Sequence, residues 1–418
     1  NWPTKKWPTN EQLNNTVPDH NVVLNRIDGH ALMANKRAIL TAKINPDTTI
    51  YGGHIEIINH ELTGIFVDNA MDLILNHVPI PSEEKNKKAL ITAQNTCFSL
   101  GLTTVDIAGL TKESVELIDK LHNSEELKIK TYIMLTDNEE NFNHYVINSN
   151  GPIKTKKMNV RSFKFFADGS LGSRGACLIN PYLDNQRTHG QLLQNIDTFN
   201  TKLNTLKLYG FQACTHAIGD SANRIITSSY ANVLDGSNDL RWRIEHVQCI
   251  TDKDIEKLGK YNIIPSVQPT HATSDFSWAI QRLGIKRLEN CYRYDQLKNQ
   301  NNLIALGTDF PVEKINPIHT FYAATFRKNY DDKPLGGFQP DESLSRVDAL
   351  KGMTIWAAIA NFEENEKGSI EEGKAADLTI LNTDLITCKE NEILNSKVLY
   401  TVVAVSYTHL TLPTRYRV

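Results

Sequence analysis

The chain has 418 residues, of which 40% are hydrophobic and 22% charged, and a formal net charge of −3. That is enough apolar material for one large core with a small appendage, and it excludes a disordered chain. There is no basic run interleaved with aromatics and no apolar stretch of membrane-spanning length, so neither nucleic acid nor a bilayer core is an expected partner.

The N-terminal stretch NWPTKKWPTNEQLNN carries neither a methionine nor a signal-like segment and reads as the interior of a longer protein. Further on, EEKNKKALITAQNTCFS reads as a helix and LGLTTVDIAG as the strand and turn after it. ESVELIDKLHN is helical, LKIKTYIMLT a strand and VRSFKFFADGS another. GFQACTHAIGD, LRWRIEHVQCI, NIIPSVQPTHA and NLIALGTDFPV follow, each a strand that ends in a loop. Helical stretches such as SANRIITSSYANVL, DKDIEKLGKY and YDQLKNQN separate them. Repeated βα units predict a parallel sheet. At least five units in series, with polar residues gathered at the strand ends and no GxGxxG opening a helix, predict a (β/α)8 TIM barrel in the α/β class rather than an open Rossmann sheet. From about Lys367 the pattern changes: KGSIEEGKAADLTILNTD and SKVLYTVVA read as short strands of a small appended β-structure. The six cysteines are scattered without a CxxC pair and read as buried free thiols, which favours a reducing, cytoplasmic compartment.

The chemistry of such a barrel sits at the C-terminal ends of its strands. Lys164 and Asp168 (FKFFADGSLGSRGA), His216 (CTHAIGD), His246 (RIEHVQ), His271 (QPTHATSD) and Asp309 (LGTDFPVE) all fall there, on different strands. Imidazoles with a carboxylate suit zinc or a similar divalent ion, which would turn water into hydroxide near neutral pH and polarise a carbonyl. Singly, each residue has an ordinary explanation. A histidine at a strand end can be a hydrogen-bonded structural residue, and Asp309 could cap a helix after Pro311. Alternation places Phe163 and Phe165 on one face of their strand and Lys164 with Phe166 on the inner one, where a lysine needs a counter-charge or a modification.

KFFADGSLGSRGA, HAIGDSANRII, RIEHVQ, SVQPTHATSD, LGTDFPVE, NFEENEKGSIEEGKAADLTIL and DGHALMANKRAI together resemble the family-three branch of the amidohydrolase superfamily, which includes hydrolases like N-substituted formamide deformylase. The resemblance runs from about Trp7 to Ala404. It implies a distorted (β/α)8 barrel with a small β-sandwich and a site for one or two divalent ions, zinc above all. His216 and His246 match metal ligands of the family. Asp309 matches the aspartate that binds metal and moves the proton of the attacking water. Lys164 matches a lysine carboxylated in related members. His271 is then a substrate or supporting residue. Asp168 and Arg174 face the substrate or pair with each other, and Asp220 orients the ligand shell or caps the next helix. Asp28 and His30 line the pocket wall or touch substrate.

The family's first strand, ending in His-x-His, has no counterpart in the chain, and neither does the first half of the sandwich. Val405 onward (VSYTHLTLPTRYRV) fits no family pattern and reads as a spurious tail. The expected organisation is therefore a truncated barrel over 1–366, part of a sandwich over 367–404 and the tail over 405–418. The expected activity is metal-dependent hydrolysis of a non-peptide C–N bond in a small N-acyl or N-formyl amine. An ester or cyclic amide at the same site, or a catalytically dead barrel serving as a binding module, are the rivals. The fragment by itself is expected to be inactive, and its oligomeric state is open.

Overall fold

The computed structural model describes residues 7–149 and 151–403; the expected tail over 405–418 lies outside them. The first element is one the sequence reading did not foresee. Strands β1 (Val23–Asn25), β2 (Ala31–Ala34), β3 (Gly53–Ile58) and β4 (Glu61–Asp68) form an antiparallel sheet in the order β1-β2-β4-β3. Its apolar side, with Leu32 and Phe66, closes a small core of its own with Ile39 of the helix Lys36–Thr41, Met71 and Ile74.

The parallel sheet follows, as the alternating pattern predicts. Its strands are β5 (Thr104–Leu110), β6 (Lys130–Thr136), the short antiparallel β7 (Ile153–Lys154), β8 (Met158–Phe166), β9 (Gln212–Ala217), β10 (Arg243–His246), β11 (Ile264–Val267) and β12 (Ala305–Leu306). The path β12-β11-β10-β9-β8-β6-β5 is parallel throughout, and β7 adds to β8 alone. The sheet curls as in a (β/α)8 barrel and, among the described residues, β5 and β12 do not pair with each other. The expected barrel fold is thus present. An antiparallel pair, β13 (Leu378–Leu381) with β14 (Val398–Val402), forms the expected appendage. It is tied back to the helix Glu83–Ser99 and the turn after it by hydrogen bonds from Thr401 to Phe98 (2.6 Å) and Thr379 to Gly101 (2.5 Å).

The helices cover the outer face because their apolar positions recur at helical spacing. In Asp220–Leu234, Ala222, Ile226, Tyr230 and Val233 are all buried. Caps fix where helices start: Ser82 accepts from Lys85 N before Glu83–Ser99, and Asn195 accepts from Asp197 N and Thr198 N before Ile196–Tyr209. Strand β8 divides as its alternation predicts. Phe163 and Phe165 pack outward on Phe142 and Phe199 at ring distances of 4.5 and 5.3 Å, while Lys164 turns inward with its Nζ 4.3 Å from the centre of the Phe166 ring.

One expectation fails. Cys249 and Cys291 are joined by a disulfide, their Cα atoms 4.0 Å apart where the two segments meet in an isolated β-bridge. They are 42 residues apart in sequence, so no spacing motif announces them. Cys97, Cys177, Cys214 and Cys388 are free thiols, the second and fourth only half-buried. A disulfide forms in oxidising surroundings, so the cysteines no longer favour a reducing compartment. Among the described residues, no helix is long and apolar enough to cross a membrane.

Candidate metal centre

Strand β9 is buried along its whole length and carries His216 inward at its end, on the face of Gln212 and Cys214. Strand β10 reads Arg-Ile-Glu-His. Arg243 and Glu245 point into the barrel, where Arg243 donates to Glu245, Asp106 and Asn361 at 2.9 Å each. Strict alternation would put His246 on the outer face with Ile244. Instead the backbone at His246 adopts φ 75, which ends the strand and turns the imidazole back toward His216, the two rings 4.6 Å apart. Asp309, past β12, also lies in the left-handed region, at φ 55. It caps no helix: the next one, Pro317–Phe326, starts eight residues on and is capped by Asn316.

The structure brings His246, His271 and Asp309 together, with one potential ligand atom from each within 4.8 Å of the others. The trio expected to converge was His216, His246 and Asp309; His271 joins the last two, and the His216 ring stays 4.6 Å from that of His246. The reason is local. His271 rides the short helix Pro269–Asp275, which begins directly after β11 and carries its ring over His246, stacked at 5.6 Å, with Nε2 3.6 Å from Asp309 Oδ2. His216 Nε2 lies 3.6 Å from Asp168 Oδ1.

These groups fit a divalent cation. The Nε2 atoms of His216 and His271 are buried and have no hydrogen-bond partner among the described residues. Gln268 Oε1 accepts from His246 Nδ1 at 2.6 Å, which leaves the other ring nitrogen to coordinate. Burial, then the charges of His271 and Lys164, bring His246 down to about 4, while Asp309 opposes them. Burial with His246, His30 and Lys164 pushes His216 well below the usual histidine range. Both rings are therefore neutral at pH 7, the form that binds metal. Burial tends to raise Asp309, but His246, His271 and Lys164 outweigh it and hold the carboxylate low. Lys164 is lowered by burial, opposed chiefly by Glu245 and Asp309. These two carboxylates supply the counter-charge that its inward position requires.

The other expected residues separate. Asp168 is wholly buried, and its carboxylate accepts from the backbone N–H groups of Cys177 (2.8 Å), Ile218 (3.0 Å) and Gly219 (2.8 Å). Burial pushes it up to about 7 against those three donors. It holds the loop behind His216. Arg174 pairs with neither Asp168 nor the site: its guanidinium grips Asp184 with two hydrogen bonds, of 3.1 and 2.8 Å. Asp220 Oδ1 accepts from Ile179 N and Ser221 N, so it ties two loops together. Asp28 accepts from Ser170 Oγ and pairs with Arg26 at 2.8 Å each. His30, from the antiparallel sheet, does reach the site: its ring lies 4.9 Å from that of His216. Sequence reading gave no role to Asp68, which binds His30, or to Gln268, which binds His246. The only signal for Gln268 was its place one residue before the proline that opens the His271 helix.

Asp168→Asn is expected to cost about 3 kcal/mol of unfolding free energy, because one acceptor oxygen replaces two in front of three buried donors. Urea denaturation at neutral pH measures it, and a loss below about 1 kcal/mol would show that the loop does not depend on those contacts.

Comparison with known proteins agrees with the geometry. The sequence model described as "Amidohydrolase family" matches residues 1–404. The protein LONG AFTER FAR-RED 3 of Arabidopsis thaliana is 31% identical over 392 residues, covering 90% of this chain and 67% of that protein. The putative amidohydrolase YtcJ of Bacillus subtilis is 29% identical, covering 91% and 72%. The N-substituted formamide deformylase of Arthrobacter pascens is 24% identical, covering 95% and 74%. Among solved structures, an uncharacterized metal-dependent hydrolase from Pyrococcus furiosus superposes with a TM-score of 0.72 at 27% identity, covering 91% of this chain and 76% of its own. A similar protein from Pyrococcus horikoshii gives 0.75 at 25%, covering 92% and 76%.

Proposed function

Because this chain belongs to the amidohydrolase family, and is on that ground a hydrolase, we propose that it cleaves a non-peptide C–N bond in a small N-acyl or N-formyl amine. The convergence of His246, His271 and Asp309 at the strand ends carries the reading. The similarity to an N-substituted formamide deformylase supports the choice of bond. Zinc is the proposed ion, since nitrogen and carboxylate donors suit it.

A divalent ion held by these residues supplies Lewis-acid activation of water and of a carbonyl oxygen. The protein's part is to place and move protons. Asp309 accepts the proton of the attacking water and returns it to the leaving nitrogen. His246 and His271 hold the ion-binding edge of the site, and Gln268 fixes the orientation of the first. His216 completes the wall on the β9 side. We assign Lys164 to the same site. Burial favours its uncharged amine, the form that takes up carbon dioxide as a carbamate with release of a proton. A carbamate there would add an oxygen ligand.

Two measurements test the reading. Zinc added to the metal-free protein should raise its melting temperature, and His271→Ala should reduce that rise. The zinc-loaded protein should hydrolyse an N-formyl amine faster than the matching formate ester, relative to each compound's rate in buffer. An ester preference would favour the esterase alternative. Zinc binding without turnover of either would favour a binding module.

A further inference from the structure

The antiparallel sheet contributes one side chain to the barrel mouth, and its environment is built with care. His30 Nδ1 lies 2.8 Å from Asp68 Oδ1. Asp68 ends β4 with φ 52, and its side chain is completely buried. The loop that follows β8 is cut to fit it: a Cβ on Gly169 would come within 2.4 Å of both Asp68 carboxylate oxygens, and one on Gly175 within 2.3 Å of Oδ2. The glycines of that loop let the carboxylate in, and it cannot move away from His30 without leaving its slot. A carboxylate only accepts hydrogen bonds, so Nδ1 of His30 is the donor to Asp68, and Nε2 is the ring nitrogen left for another partner. No hydrogen bond to Nε2 occurs among the described residues. The ring keeps 12% of its surface exposed, 4.9 Å from the His216 ring and 6.4 Å from that of Phe166.

We propose that His30 is a specificity residue whose Nε2 accepts a hydrogen bond from the substrate's amide N–H, so that the enzyme selects secondary amides and N-monosubstituted formamides over N,N-disubstituted ones. The proposal rests on the C–N hydrolase reading and narrows it. A metal ligand is the other role open to an Asp-supported histidine. His30 stands outside the group whose ligand atoms cluster within 4.8 Å, so hydrogen bonding to substrate is the role the geometry favours.

The tautomer is tested without any turnover. In protein carrying 15N-labelled histidine, the signals that disappear in His30→Gln belong to His30. They should show a protonated Nδ1 and a bare Nε2 at neutral pH, and Asp68→Asn should reverse or mix the two. A protonated Nε2 in the wild type, or a shift of Nε2 showing coordination when zinc is added, would overturn the proposal. Selectivity is the second readout. The ratio of kcat/KM for an N-monosubstituted formamide to that for its N-methylated counterpart should fall about tenfold in His30→Ala, the worth of one neutral hydrogen bond. It should recover in part in His30→Gln, whose Oε1 can accept. An unchanged ratio in His30→Ala would overturn the proposal even if the C–N hydrolase reading held. Failure of the wild type to hydrolyse either formamide would count against that reading, leaving the tautomer experiment to decide the state of His30.

Discussion

Asp309→Asn is expected to lower kcat on an N-formyl amine by about 10²- to 10⁴-fold, the usual contribution of a positioned proton acceptor, while leaving the fold in place. The amide has the shape of the carboxylate but neither its charge nor its ability to take the water proton. Asp309 is more than a third exposed and makes no hydrogen bond that holds a secondary-structure element through its side chain. Burial tends to raise the carboxylate, and His246, His271 and Lys164 beside it hold it low. Circular dichroism and the urea midpoint should therefore change little. Zinc content should be measured on the same sample, because loss of the ion and loss of the proton acceptor both reduce rate. Near-wild-type turnover in a zinc-loaded variant would remove Asp309 from the mechanism.

A second large effect is expected at a residue that performs no chemistry. Gly219 has φ −70 and ψ 152, a backbone any residue adopts, so conformation alone does not ask for glycine. Packing does. A Cβ there would lie 1.9 Å from the carbonyl oxygen of Cys177, 2.4 Å from its carbon and 2.8 Å from its nitrogen. These are backbone atoms pinned by Ser221 N and Ala222 N, which donate to the same carbonyl, and by Cys177 N, which donates to Asp168. Gly219→Ala should thus cost about 4 kcal/mol or more, at the upper end of overpacking effects, and recover mainly as aggregated protein. Gly236→Ala is the contrasting case. Gly236 has φ 90 and open space at its Cβ position, so the change should cost only about 1 kcal/mol of backbone strain. If the two variants melt alike in urea, close packing of the loop behind His216 is not what the glycine serves.

Much of the fold was legible in the sequence because local pattern and tertiary role coincide there. The strands of the parallel sheet are short apolar runs ended by polar residues, and amphipathic helices lie between them. On β8 the alternation of Phe163, Lys164 and Phe165 was enough to place the lysine inside. The N-terminal antiparallel sheet was missed because its strands are short and half-exposed, β1 and β3 in particular, and so lack a clean alternating signal. The disulfide was missed for a different reason: two cysteines 42 residues apart carry no mark of pairing until two loops meet.

The sequence by itself determined which side chains stand at the ends of the barrel strands, because a period-two pattern and the position of the strand end are local properties. Which of them share a point in space was decided by the tertiary structure. A positive φ at His246 reverses the face that alternation would assign to it, and a helix of seven residues carries His271 over it. Asp168 and Arg174, adjacent to the site in sequence, are drawn away by three backbone amides and by Asp184. His30, remote in sequence, is delivered by a sheet whose docking depends on glycines more than a hundred residues further along. Backbone reversals and the meeting of distant surfaces leave no periodic trace in a chain, so these assignments had to come from the fold.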